Sequence, residues 1–237
     1  RAFYDQIPPL SLSFWRWVLA TALLLPFVAR GIWLHRATLR AAGWRLPVIA
    51  ALGIASYNSL LYTAAQSTEA INLTLVNTCL PLATFIGAGF LLGEWPLRRA
   101  WFGMAVAAAG LLYLISRGSW QTFASLSFKA GDLIMLLAVL VWALYTLLLR
   151  RWSSFLTVPP LVLLGVLMLL GVPLILPFYL YELSRVGGFA ATPANLGAIG
   201  YTAVFASLIA YLAWNHGVKV VGAAKAAMAS YLMPVFT

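Results

Sequence analysis

Charge is scarce in this chain. Asp and Glu together number five and Lys and Arg 15, which is 8% of the 237 residues. A soluble domain carries roughly 25% charged residues, and too few stand here to cover a globular surface in water. Disorder is excluded as well, because 63% of the residues are hydrophobic. A single cysteine, Cys79, excludes an internal disulfide and any cysteine-based metal cluster. No Walker sequence, no HExxH and no Cys/His ligand spacing occurs. The two histidines, His35 and His216, fall in connections between apolar runs, so no nucleophile–base pair is in view and no enzymatic activity is expected. No cofactor and no metal is expected either. No carboxylate lies deep in an apolar run, which argues against a built-in proton relay.

What is present is long apolar runs. They cover 10–29, 46–66, 70–93, 97–116, 130–149, 158–181 and 196–214, and an eighth starts near Ala223. A membrane-spanning helix needs roughly 20 apolar residues. Barrel strands are about half that length and alternate polar with apolar, so the expected class is an all-α polytopic membrane protein. Ten Trp and ten Tyr suit a bilayer, whose interfaces favour both.

The net charge of +10 does not form a nucleic-acid-binding patch, because the basic residues fall in short clusters between the runs. One set of connections holds Arg30, Arg36, Arg40, Arg45, Arg98, Arg99, Arg150, Arg151, Lys219 and Lys225. The other holds only Arg1, Arg117, Lys129 and Arg185, and most of the acids: Asp5, Glu69, Asp132 and Glu182. The excess of basic residues places the first set in the cytoplasm.

The chain also overlays on itself at an offset of about 151–153. Leu25-Pro26-Phe27 falls on Leu176-Pro177-Phe178, Ala70 on Ala223, Pro81 on Pro234 and Thr84 on Thr237. This order fits a five-plus-five arrangement whose first and last helices lie outside the chain. With an odd number of spans per half, the halves are inverted in the membrane, a recurrent design of secondary transporters.

Polar and aromatic residues recur on single helix faces. Asn58, Tyr62 and Gln66 stand four apart, with Tyr57 and Leu61 beside them. Thr74, Asn77, Thr78 and Pro81 form a second stripe, Met135, Trp142 and Tyr145 a third, and Tyr211, Trp214 and Asn215 a fourth; Tyr231 and Pro234 repeat the theme. From these come the candidate substrate-binding residues Tyr57, Asn58, Tyr62, Asn77, Thr78, Trp142, Tyr145, Tyr211, Trp214 and Tyr231. The alternative is hydrogen-bonding glue between helices, and for Trp214 an interfacial belt. Pro81 and Pro234 free the carbonyls of Asn77 and Ser230, as hinges that help hold an amino group or as static kinks. Arg16, the one internal cation, can snorkel outward, pair with an outer carboxylate or bind a substrate carboxylate. Glu94 stands four residues before Arg98 as a local ion pair or a gate brace. Gly103, Ala107 and Gly110 offer a small face for close helix packing, or for a homodimer contact.

Three stretches carry a family resemblance. One is Pro81, Gly93-Glu94, Gly103 and Gly110. The second is Gly131-Asp132-Leu133 leading to Ala138, Trp142-Ala143, Tyr145 and Arg150. The third is Pro9 with Phe14-x-Arg16. In order and spacing they resemble the EamA-type family of the drug/metabolite transporter superfamily, and the overall similarity is greatest to bacterial exporters of aromatic amino acids. The resemblance implies two inverted five-helix halves, here 1–116 and 117–237, around a central cavity. It implies that 46–66, 70–93, 130–149, 196–214 and the stretch from 223 line that cavity. It further implies export of small metabolites across the bacterial inner membrane, with both termini of the full protein cytoplasmic. The expected partners are a small-molecule substrate and the lipid bilayer, with no nucleic acid. The substrate expected is an aromatic or large neutral amino acid; the alternatives are a multidrug or quaternary-ammonium exporter and a non-transporting membrane assembly subunit.

Overall fold

Residues 6–115 and 129–235 are described in a computed structural model of the chain. The expected junction at 116–117 and residues Arg1, Asp5, Arg117 and Thr237 lie outside them. Among the described residues the chain is helical, without strands: α1 Pro9–Leu34, α2 Arg36–Ala42, α3 Arg45–Ser67, α4 Ala70–Leu92, α5 Arg98–Ile115, α6 Ala130–Arg151, α7 Pro160–Val186, α8 Pro193–Val221 and α9 Ala223–Ala227, continued as a 3₁₀ stretch over Met228–Val235. Six of these, α1, α3, α4, α6, α7 and α8, are long and apolar enough to cross a membrane. The run expected over 97–116 is the helix α5, whose 18 residues rise about 27 Å. The eighth run departs from a plain α-helix. It tightens to 3₁₀ bonding before Pro234, which has no N–H to give the Ser230 carbonyl.

Local chemistry sets the boundaries. Proline occupies the first turn of α1, α7 and α8, where its missing N–H costs no intrahelical bond. Gly93 and Gly222 end α4 and α8 with φ of 70° and 89°, a region closed to most side chains. The helix α4 is interrupted at Thr78, three residues before Pro81. Two helices widen to π turns in mid-span, α3 over Ala51–Ser56 and α8 over Thr202–Ile209.

Helix ends are tied to one another by polar contacts. Glu182 of α7 accepts from the amides of Leu10 (3.0 Å) and Ser11 (2.7 Å), placing a carboxylate on the positive end of α1. Asp132 at the start of α6 accepts from its own cap amide, Lys129 N (2.7 Å), from Asn72 Nδ2 (3.2 Å) and from the Thr68 hydroxyl. At the opposite, basic end, Arg150 of α6 lies 3.7 Å from Glu94. The sequence pairs Glu94 with Arg98; the fold pairs it with Arg150 instead, because α6 packs along α4. Both side chains are well exposed, so the pair contributes little to stability.

The surface is inverted relative to that of a soluble protein. Phe27, Phe90, Phe102 and Leu133 are each more than 70% exposed, while Asn58, Thr84, Asn215 and Arg16 are buried. Lipid tails accept the former and leave the latter to find partners inside.

Close helix approach relies on glycine at specific points. A Cβ on Gly171 of α7 would lie 2.5 Å from the Ile54 Cβ of α3, and one on Gly165 would lie 2.7 Å from Val28 of α1. Gly103 and Gly110, by contrast, face nothing within 4 Å among the described residues, so the small face of α5 packs against none of them. Gly171→Leu is expected to destabilise the protein by about 1–3 kcal/mol, and Gly103→Ala to stay within about 0.5 kcal/mol, as read by thermal unfolding in detergent.

Candidate functional site

Helices α3, α6 and α8 bring their stripes together near mid-depth. Trp142 of α6 is the centre. Its ring centroid lies 4.5 Å from Tyr57, 4.9 Å from Tyr145, 5.2 Å from Tyr211 and 5.4 Å from Trp214. These are contact distances, so the rings form a closed cluster and not an open chamber. A further aromatic ring would need about 3.5 Å on each face.

Hydrogen bonds cross the same seam. The Asn58 amide of α3 donates to the Tyr211 hydroxyl of α8 (2.7 Å), and that hydroxyl donates to the Gly53 carbonyl (2.5 Å). Gly53 sits inside the π turn of α3, and a Cβ there would collide with the Tyr145 ring. The Tyr145 hydroxyl donates to Asn215 Oδ1 (2.7 Å), and the Trp214 indole donates to the Thr146 hydroxyl (3.2 Å). Tyr145, Tyr211, Asn58 and Asn215 are all buried.

Helix α1 supplies the flank. Trp17 is fully buried and meets Tyr211 edge-on, 4.9 Å between centroids. Arg16 is 2% exposed and does not snorkel. Its Nη1 donates to the Tyr62 hydroxyl, and its guanidinium lies 4.8 Å from the Trp17 ring centroid. Cavities open at both ends of the bundle: one lined by Asn215, Arg150 and Lys219 at the basic end, the other by Gln66, Thr68, Glu69 and Lys129.

The structure therefore gathers Tyr57, Asn58, Trp142, Tyr145, Tyr211 and Trp214 in one cluster, with Tyr62 on its Arg16 side. The others lie elsewhere. Asn77 is buried in α4, and the Thr78 hydroxyl caps the Leu75 carbonyl beside the break at that residue. Half-buried Tyr231 is on the 3₁₀ stretch that packs on Cys79–Leu92. Pro81 is buried just past the break in α4; Pro234 is the last residue but one of the 3₁₀ stretch. Glu94 is at the basic end, remote from the rings. Sequence reasoning missed Trp17, Gly53 and the two π turns. A π turn inserts one residue and slips the helical register, and the run through Ala51–Ser56, apolar all round, carries no periodicity signal of it.

The fold and this seam define an α-helical polytopic membrane protein with a polar, aromatic interior. Comparison with known proteins places it more closely. The model of the EamA-like transporter family matches residues 1–116 and 129–237. An uncharacterized transporter of Bacillus subtilis, YyaM, is 31% identical over 230 residues, 97% of this chain and 74% of that protein. An uncharacterized transporter of Archaeoglobus fulgidus is 28% identical over 252 residues, 98% of this chain and 78% of its own length. A solved crystal structure superposes with a TM-score of 0.71 over 99% of this chain and 80% of that one at 20% identity, a likeness of fold. The chain belongs to the EamA-like transporter family.

Tyr211→Phe removes a hydroxyl that serves two buried groups, Asn58 and Gly53 O. The expected loss is about 1–3 kcal/mol, measured by thermal unfolding; Tyr201→Phe, on an exposed residue of the same helix, should change little.

Proposed function

We propose that this protein is a secondary carrier of the bacterial inner membrane that exports small amphipathic metabolites, foremost aromatic or large neutral amino acids. The observation that carries this reading is the ring cluster around Trp142, drawn from α3, α6 and α8. Its rings offer stacking faces to an apolar or aromatic side chain, and Asn58, Asn215 and the tyrosine hydroxyls offer hydrogen bonds to a zwitterion. Transport proceeds by alternating access, the residues 1–116 and 117–237 rocking against one another as two inverted halves. The cluster parts to admit substrate from the basic, cytoplasmic end and closes behind it. Pro81 and Pro234 are the positions proposed to flex.

A quaternary-ammonium exporter is the second reading, because aromatic faces attract cations. It lacks a counter-charge among the described residues of the cluster, where the charged group nearby is Arg16. The buried Asp132 is already held by three donors at a helix start. That leaves no relay carboxylate at mid-depth among the described residues, so transport should not be driven uphill by a pH gradient alone; a proteoliposome gradient assay checks this.

Counterflow of labelled phenylalanine into proteoliposomes tests the main reading. Saturable uptake competed by tryptophan is expected, and Trp142→Ala should weaken apparent affinity tenfold or more, since a stacked ring pair is worth about 0.5–1.5 kcal/mol and Trp142 makes several. Absence of saturable flux by the well-folded protein would overturn the amino-acid reading, and flux of tetraphenylphosphonium in its place would favour the second.

A further inference from the structure

We infer that Arg16 is the anchor for a carboxylate of the transported molecule. The inference rests on the carrier reading and narrows its substrates to zwitterions and organic acids that bear an apolar side chain.

Arg16 stands seven residues into α1, about 10 Å below the start of the helix. It is 2% exposed. Its Nη1 donates to the Tyr62 hydroxyl. Its Nε and Nη2 are buried and meet no acceptor among the described residues. Those two nitrogens share one edge of the guanidinium, the edge that grips a carboxylate through two parallel hydrogen bonds. The indole Nε1 of Trp17, whose ring lies 4.8 Å away, is likewise buried with no acceptor among the described residues. The unsatisfied groups gathered here are all donors, and donors of this kind call for an anion.

No protein carboxylate fills that place among the described residues. The ion pairs there are Lys129 with Glu69 and Arg150 with Glu94. Glu182 is occupied by the start of α1, and Asp132 by Thr68, Asn72 and Lys129 N. A buried cation left without an anion costs free energy in the substrate-free protein. Groups held at such a cost inside a membrane mark substrate or ion paths.

The surroundings also set the orientation of the guest. From the guanidinium the next ring is Trp17, and the next after it is Tyr211, 4.9 Å between centroids, which belongs to the cluster around Trp142. A carboxylate on Arg16 directs the rest of the molecule toward those rings. A permanent cation with no carboxylate meets Arg16 as a like charge.

The test uses the purified full-length protein, wild type, Arg16→Gln and Arg16→Lys, with ligands paired to differ in the carboxylate: phenylalanine against phenylalaninamide, and 3-phenylpropionate against phenethylamine. Thermal unfolding in detergent is read with each ligand, and labelled phenylalanine counterflow is read alongside. The carboxylates should raise the wild-type Tm and the amide and amine should not. Arg16→Gln should lose that preference, needing more than tenfold higher ligand for an equal shift. Arg16→Lys should keep it with weakened affinity, since an ammonium keeps the charge and loses the fork. Without ligand, Arg16→Gln should unfold at or above the wild-type temperature, because it removes an unpaired buried charge. Equal shifts with the amide or amine, a preference that survives in Arg16→Gln, no shift with either carboxylate, or a ligand-free Tm several degrees lower in both variants would each overturn the inference. Counterflow separates this outcome from the carrier reading. Phenylalanine flux without Arg16-dependent carboxylate preference keeps the carrier and removes the anchor. An Arg16-dependent shift by 3-phenylpropionate without phenylalanine flux keeps the anchor and removes the amino-acid reading.

Discussion

A polar group at membrane depth has to find its partner within the protein, because lipid tails offer none. That constraint organises the interior of this chain more than apolar burial does, since apolar side chains are as well accommodated outside as in. The Tyr211 hydroxyl shows how it is met. It accepts from Asn58 and donates to Gly53, so one side chain of α8 satisfies an amide and a backbone carbonyl of α3. The bonds from Tyr145 to Asn215 and from Trp214 to Thr146 tie α6 to α8 in the same way. The helices are therefore held in rotation as well as in proximity: a turn of α8 about its axis would strand several groups at once.

These bonds specify an arrangement without locking it. Interhelical hydrogen bonds in membranes average about 0.6 kcal/mol, so the four across this seam amount to a few kcal/mol together. A difference of that size leaves a minor state populated at roughly 0.1–10%. The ring contacts add to this, yet each is a face that another ring replaces in kind. A seam built from tyrosine, tryptophan and asparagine can thus exchange one set of partners for another at modest net cost. A seam of interlocked leucines would offer a polar guest no such replacement.

The sequence revealed some levels of this organisation and hid others, for physical reasons. Run length reports hydrophobic thickness directly, so the spans are legible, some closely and some less so: the run read as 130–149 is the helix Ala130–Arg151, whereas that read as 196–214 is Pro193–Val221, seven residues longer at its end. Helical periodicity placed Asn58 with Tyr62, and Trp142 with Tyr145, on faces that the fold buries. What periodicity cannot give is which faces meet. Glu94 pairs with Arg150 across helices and not with Arg98 four residues on, because the approach of α4 to α6 is a tertiary fact. Arg16 shows the same limit. A side chain long enough to snorkel is held inside by Tyr62 and Trp17, and neither contact follows from spacing along α1.

The π turns show how the register of this seam is made. Both lie in the helices that exchange the Asn58–Tyr211 bond, and each ends two residues before its bonding residue: Ala51–Ser56 before Asn58, and Thr202–Ile209 before Tyr211. Their starts are separated by the offset at which the chain overlays on itself. One inserted residue rotates everything beyond it by about 100° around the helix axis. A regular helix that presents Ile54 to Gly171 of α7 would carry Asn58 round on the same face, toward α7 and away from α8. The wide turn itself carries both contacts, Ile54 packing on Gly171 of α7 and the Gly53 carbonyl beside it accepting from Tyr211 of α8, and Asn58 follows on the side of Tyr211. In α8 the same device, at a matching place, serves the answering residue. The polar seam and the glycine-mediated packing thus meet on α3, where the register changes between them.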